Sequence, residues 1–199
     1  EYFHRFLEEW TGSKPDFDEV SLKKKKFFLE HRFNGDLDNL VQQCSRIEDG
    51  ALSRVDEPSL KEAIAGFLVH CPVYRIYGVP SDFSAEERRM VSKIFEEAAN
   101  EEQESTDALN ALRGLFLDIS GDQLKVNAVD SFFKRCMQFT GPLMAKGIED
   151  TLFYLFNPFL AHNEVGDSPS YFGMRTSKFH KEMEYRQEHW PLSMNATST

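Results

Sequence analysis

Apolar positions recur along this chain at the period of a helix. From Phe33 the hydrophobic residues fall at Leu37, Leu40, Val41, Cys44 and Ile47, intervals of three and four that place them on one buried helical face. Asp16-Phe-Asp-Glu19 offers an N-terminal cap to the preceding segment, and Asn34-Gly35 marks a kink or break within the run. Ser59-Leu-Lys-Glu62 has the form of a capping box ahead of Ala63, Ile64, Phe67, Leu68 and Cys71, with Pro72 ending that helix. A second box, Ser84-Ala-Glu-Glu87, precedes Met90, Val91, Ile94, Phe95 and Ala98. Leu109 to Ile119 predicts another helix with Gly121 beyond its end, and a further one runs from about Ala128 to Phe139.

The wording changes after Thr140-Gly141-Pro142. Leu143-Met-Ala145 is short, apolar and bounded by Gly-Pro and Lys-Gly, the pattern of a buried parallel strand. A helical run towards Leu160, a polar loop from Asn163 to Ser170, an amphipathic segment from Thr176 to His189 and an apolar Leu192 to Ser198 complete a strand–helix–loop–helix–strand order. Val73 to Tyr77 has the β-branched and aromatic content of a short extended piece. The expected fold is therefore mainly α: an all-helical insertion domain over residues 1–139, followed over 140–199 by a βαβ-like piece of a (β/α)8 barrel with two strands.

Composition narrows the function classes. The chain has 199 residues, with 18 Phe among them, so it can bury a genuine core. Its net charge of −10 argues against nucleic acid and anionic membrane surfaces, both of which need a cationic face. Neutral, polyhydroxylated ligands remain compatible. No apolar stretch approaches the roughly 20 residues of a membrane span. Cys44, Cys71 and Cys136 are odd in number, widely spaced and set on apolar faces, which predicts reduced core thiols in a cytoplasmic protein.

Few residues carry candidate chemistry. Lys146 follows the candidate strand, where a barrel places functional groups, and its ammonium can donate to sugar hydroxyls or rest as a solvated loop lysine. Glu149 and Asp150 are adjacent, so on a helix they point about 100° apart and cannot straddle one bond; a cap or salt-bridge role competes with acid/base chemistry. Asn163 and Glu164 either read sugar hydroxyls or shape a turn. His180 and Glu184 share a helical face as a metal pair or a surface pair. The Lys23 to Lys26 run reads as a solvated helix face.

Several segments carry a family resemblance. Phe139-Thr-Gly-Pro-Leu-Met-Ala-Lys-Gly-Ile-Glu-Asp-Thr-Leu-Phe-Tyr154, then Asn163-Glu-Val-Gly166, Phe172-Gly173, Phe179-His180, Trp190-Pro191 and Met194-Asn-Ala-Thr-Ser-Thr199, resemble the maltooligosyltrehalose synthases of the α-amylase superfamily. Upstream, Phe6 to Gly12, Asp16-Phe17, Pro72-Val-Tyr-Arg75 and Tyr77 match in order and spacing. The resemblance implies an intramolecular transglycosylation that turns the reducing-end α-1,4 bond of a maltooligosaccharide into an α,α-1,1 bond in trehalose biosynthesis. It implies no cofactor and no metal, and a functional partnership with maltooligosyltrehalose trehalohydrolase.

The same resemblance implies an internal fragment. The nucleophile and acid/base carboxylates are expected before Glu1 and the stabilising aspartate just after Thr199, so no catalytic residue is expected within the chain. Lys146, Glu149, Asp150, Tyr154, Asn163 and Glu164 match substrate-binding positions. A non-catalytic helical binding or scaffold module, or another α-amylase-superfamily enzyme, is the alternative.

Overall fold

The structure is a computed structural model that describes residues 2–12, 16–101, 106–156, 158, 160–167, 169 and 173–192. Nine α-helices make up its frame among these residues: α1 (Tyr2–Thr11), α2 (Phe17–Arg32), α3 (Asn34–Ser45), α4 (Glu57–His70), α5 (Ala85–Glu101), α6 (Thr106–Leu117), α7 (Gln123–Pro142), α8 (Phe153–Leu155) and α9 (Thr176–His189). A wide-turn π segment, Leu143–Leu152, joins α7 to α8, so one rod runs from Gln123 to Leu155.

Local chemistry sets most of the boundaries. Asp16 caps α2 by accepting from the backbone N–H of Asp18 (2.9 Å) and Glu19 (3.2 Å). α2 stops at Arg32 and α3 restarts at Asn34, which places the expected break at Phe33. Ser84 and Glu87 form the reciprocal box: Ser84 N–H donates to Glu87 Oε2 (3.0 Å) and Glu87 N–H to Ser84 Oγ (3.2 Å). The Ser59 box is different. Asp56 is the N-cap there, accepting from Ser59 N–H (2.9 Å), so α4 starts at Glu57 with Pro58 in its first turn.

α4 is the hub, packed by α2, α3, α5, α6 and α7. Its face carries Leu60, Ala63, Ile64, Phe67 and Leu68, each at most 2% exposed. Phenylalanine rings knit the centre. Phe67 lies 5.1 Å from Phe95 on α5 and 5.2 Å from Phe116 on α6, and Phe116 meets Phe133 of α7 edge-on at 5.1 Å. Cys44, Cys71 and Cys136 are free and buried in this core. Burial pushes the Cys44 thiol up to about 12 and the other two in the same direction, so all three are inert at neutral pH. A second cluster, Ile148, Leu152 and Phe156, packs with Phe17 and Val20 of α2.

The βαβ expectation fails: no strand occurs among the described residues, so they contain no piece of a TIM barrel. Leu143 to Ala145 is helical. The glycines and proline read there as strand boundaries serve packing instead. Pro142 has helical φ and ψ (−56°, −36°). Gly141 sits where an added Cβ would meet the Tyr74 carbonyl at 3.6 Å, and Gly147 where one would meet the Lys25 backbone at 3.5 Å. These residues let a rod pass close to α2 and to the loop after α4. Val73 to Tyr77 is irregular backbone. Of the expected strand at Leu192 to Ser198, Leu192 lies in a turn and the rest falls outside the described residues.

Candidate functional site

The residues singled out at the end of α7 lie on two faces of the π segment. Its buried face carries Leu143, Gly147, Ile148 and Leu152 against α2. Its outer face carries Lys146 and Asp150, paired at 2.5 Å and each more than half exposed. Tyr154, 83% exposed, continues that outward line at the next i+4 position. Glu149 is half-buried beside them. Thr151 Oγ1 donates to the Lys146 carbonyl at 2.7 Å, a side-chain bond that spans the wide turn. Lys146, Asp150 and Tyr154 therefore form one exposed stripe with a donor, an acceptor and an aromatic face.

Asn163 and Glu164 sit apart from the stripe. Asn163 Nδ2 donates to the carbonyl of Phe153 at 2.7 Å and to that of Phe156, capping the carbonyl end of the rod. Its Oδ1 is buried and accepts no hydrogen bond from the described residues. Glu164 is exposed, and its carbonyl accepts from Asp167 N–H at 3.0 Å around Gly166, whose φ of +90° suits glycine. The loop thus turns the chain and anchors it to α8. His180 and Glu184 lie on α9, which buries none of its side chains and exposes all of them but the half-buried Met183. No group of three or more metal-binding side chains occurs among the described residues.

A polar pair that the sequence reading passed over lies behind the π segment. Lys25, one of the four lysines expected to be solvated, is only 5% exposed. Its Nζ donates to the carbonyls of Val69 (3.1 Å) and Cys71 (2.9 Å), the open end of α4. Burial lowers its pKa, opposed by the nearby Cys71 thiol. His70, 6% exposed, donates from Nδ1 to the Gly66 carbonyl at 2.8 Å. Its Nε2 faces the Glu101 carboxylate at 3.4 Å and makes no hydrogen bond. Both line an open cleft of about 590 Å³ shared with Ser21, Glu97, Met144 and Ile148. The signal was present in the sequence. Ser21, Lys25 and Leu29 follow one another at i+4, so Lys25 continues the buried stripe of α2.

Comparison with known proteins gives this geometry a context. No family model matches the chain. A 65-residue stretch, 33% of the chain, is 38% identical to putative maltooligosyl trehalose synthases of two Mycobacterium tuberculosis strains. The fold of the chain, over 99% of its length, matches maltooligosyltrehalose synthase from Arthrobacter ramosus with a TM-score of 0.68 at 20% identity. The family resemblance holds. A hypothetical maltooligosyl trehalose synthase of Sulfolobus tokodaii also matches over 99% of the chain, with a TM-score of 0.56 at 21% identity. At these identities the solved structures support the fold. The match spans 8% of the curated synthases' length, and the chain covers 23% of the Arthrobacter synthase. No helix among the described residues is long and apolar enough to cross a membrane.

Proposed function

We propose that this chain is an internal portion of a maltooligosyltrehalose synthase, and that the whole parent converts the reducing-end α-1,4 bond of a maltooligosaccharide into an α,α-1,1 bond. The observation that carries this reading is the 38% identity over 65 residues to the curated synthases, joined to a fold shared along 99% of the chain. The helical portion continues through the rod to Leu155, past the expected boundary at residue 139, and the residues after it lead back towards the rest of the parent. In a retaining transglycosylation one carboxylate attacks the anomeric carbon and a second protonates the departing oxygen. The freed glucose then returns through its own anomeric hydroxyl. Those carboxylates come from the remainder of the parent.

The exposed stripe is assigned to substrate binding. Lys146 donates to sugar hydroxyls while Asp150 orients its ammonium, and Tyr154 offers an aromatic face. Glu149 flanks the stripe, and Asn163 fixes the rod's end and the loop that carries Glu164. The soluble, neutral substrate suits a chain of net charge −10.

Two incubations test the proposal. The full-length parent with maltopentaose should consume reducing ends while releasing little glucose, and the product should carry a terminal trehalose unit. The 199-residue chain alone should form none of it, because a catalytic unit taken apart leaves only binding. Simple hydrolysis by the parent would point to another member of the α-amylase superfamily, and no reaction to a non-catalytic module. Turnover by the isolated chain would place the catalytic carboxylates within it.

A further inference from the structure

The loop between α4 and α5 holds an aromatic side chain in the open with unusual firmness. Tyr77 is 84% exposed, and Tyr74, three residues earlier, is 45% exposed. Between them Ile76 is buried at 4% and acts as the loop's apolar anchor. Three backbone groups fix the course of the chain. Thr140 Oγ1 donates to the Tyr74 carbonyl at 2.8 Å, Ile76 N–H points to Met137 Sδ at 3.4 Å, and Gly78 N–H donates to Glu87 Oε1 at 2.7 Å. Two of these anchors belong to α7 and the third to α5, so the loop is clamped on both sides. A ring that contributes nothing to the core is thereby held at a defined place on the surface.

Arg75 completes the arrangement. Its guanidinium carbon lies 5.6 Å from the centroid of the Tyr77 ring. Its N–H donors find no acceptor among the described residues. One aromatic face and a planar set of free donors therefore stand side by side on a clamped loop. The loop lies beside Gly141, five residues before Lys146 and so less than about 8 Å from it along the rod's axis.

We propose that Tyr77, with Arg75 and Tyr74, forms a platform on which a pyranose ring of an α-glucan chain stacks. This deepens the functional reading above and rests on its choice of substrate class. The chemistry fits on both counts. A glucopyranose presents axial C–H bonds on its faces and hydroxyl groups around its rim. An aromatic face takes the C–H side, and a guanidinium donates to the hydroxyls. Rigid presentation lowers the ordering cost of binding. A protein partner would need a wider apolar patch than this one. Beside the rings, over residues 72–79, the exposed residues are Pro72 and Arg75, while Val73, Gly78 and Val79 are half-buried; further along the loop the exposed residues are the polar Ser81, Asp82 and Ser84. The chain's net charge of −10 disfavours a polyanion as the partner of Arg75.

The test uses the full-length parent and compares Tyr77→Ala and Tyr77→Trp with the unaltered protein. Steady-state kinetics on maltopentaose, calorimetric titration of the same sugar and the melting temperature are read together. The platform predicts that Tyr77→Ala raises KM and weakens binding about ten-fold, that Tyr77→Trp restores both, and that Tm is unchanged. Unaltered KM and affinity in Tyr77→Ala would overturn it. A fall in Tm without Trp rescue would also overturn it, assigning the ring to packing against the rest of the parent. If the unaltered parent binds maltopentaose but forms no trehalose-ended product, the functional reading fails and the titration still decides the platform. Absence of binding in the unaltered parent overturns the platform as well.

Discussion

Replacing Lys146 by alanine in the full-length parent separates a substrate contact from a surface ornament. In the structure Lys146 spends its charge on Asp150, four residues on, with both side chains more than half exposed. An exposed i,i+4 pair stabilises a helix by about 0.3–0.5 kcal/mol, and the Lys-before-acid order is the weaker of the two. Alanine has the better helix propensity and recovers part of that. The net change in stability is therefore a few tenths of a kcal/mol, about 1 °C or less in Tm for a domain of this size. A charge-assisted hydrogen bond to a sugar hydroxyl is larger, about 1.5–3 kcal/mol. Lost from the transition state, it lowers kcat/KM roughly ten- to a hundred-fold. Disappearance of maltopentaose reducing ends, followed over a range of substrate concentrations, gives kcat/KM, and calorimetry on the same preparation gives Tm. Asp150→Asn should show a smaller kinetic loss, because it frees the ammonium without removing it. Unchanged kinetics in Lys146→Ala would remove the residue from the site. A Tm drop of several degrees with normal specific activity would make it structural.

Two further outcomes concern the frame. Phe116→Ala empties a fully buried position flanked by Phe67, Phe95, Phe132 and Phe133. It should cost about 3–5 kcal/mol in urea unfolding, and a loss below about 1 kcal/mol would show that the rings are not packed as described. The Glu87 carboxyl is held below the ordinary glutamate value of 4.5 by hydrogen bonds from the Ser84 backbone, the Ser84 hydroxyl and the Gly78 backbone. A depressed carboxyl adds stability above its unfolded pKa and loses it as pH falls through its folded value. The stability gap between the parent sequence and Glu87→Gln should accordingly be largest near neutral pH and shrink below about pH 4.5. A gap independent of pH would contradict this.

The helices were legible wherever a local signal and an apolar stripe agreed. Asp16 and the Ser84–Glu87 box both form as read, and α9 spans the expected Thr176 to His189. At Ser59 a stronger cap three residues earlier, Asp56, moved the start of α4. The strand expectation at Leu143 to Ala145 failed for a physical reason. Short apolar runs have no intrinsic period, so Gly141, Pro142 and Gly147 decided the reading. A glycine that breaks a helix and one that admits a neighbour's backbone are identical in sequence, and only the approach of Lys25 and Tyr74 tells them apart. Lys25 was hidden by its neighbours in a run of four lysines, of which Lys23 and Lys26 are exposed and Lys24 half-buried. The roles of Lys146, Glu149, Asp150, Tyr154, Asn163 and Glu164 came from family resemblance, since no spacing in the sequence brings a reacting centre to them.

The π segment acts as a phase converter within a single rod. Each α-helical residue advances the side-chain direction by about 100°, and a wider turn advances it by less. Over Leu143–Leu152 that lag accumulates, so the side that α7 turns to the phenylalanine core is not the side that α8 and the end of the rod turn to α2. The rod can thus serve two hydrophobic clusters without an intervening loop. The aim of Lys146 and Asp150 is fixed by the number of residues in that stretch. Removing one residue there would rotate everything downstream about the axis, setting the outward stripe and the buried Leu152 against each other. Point substitutions leave that angular setting intact, whereas a length change of a single residue resets it.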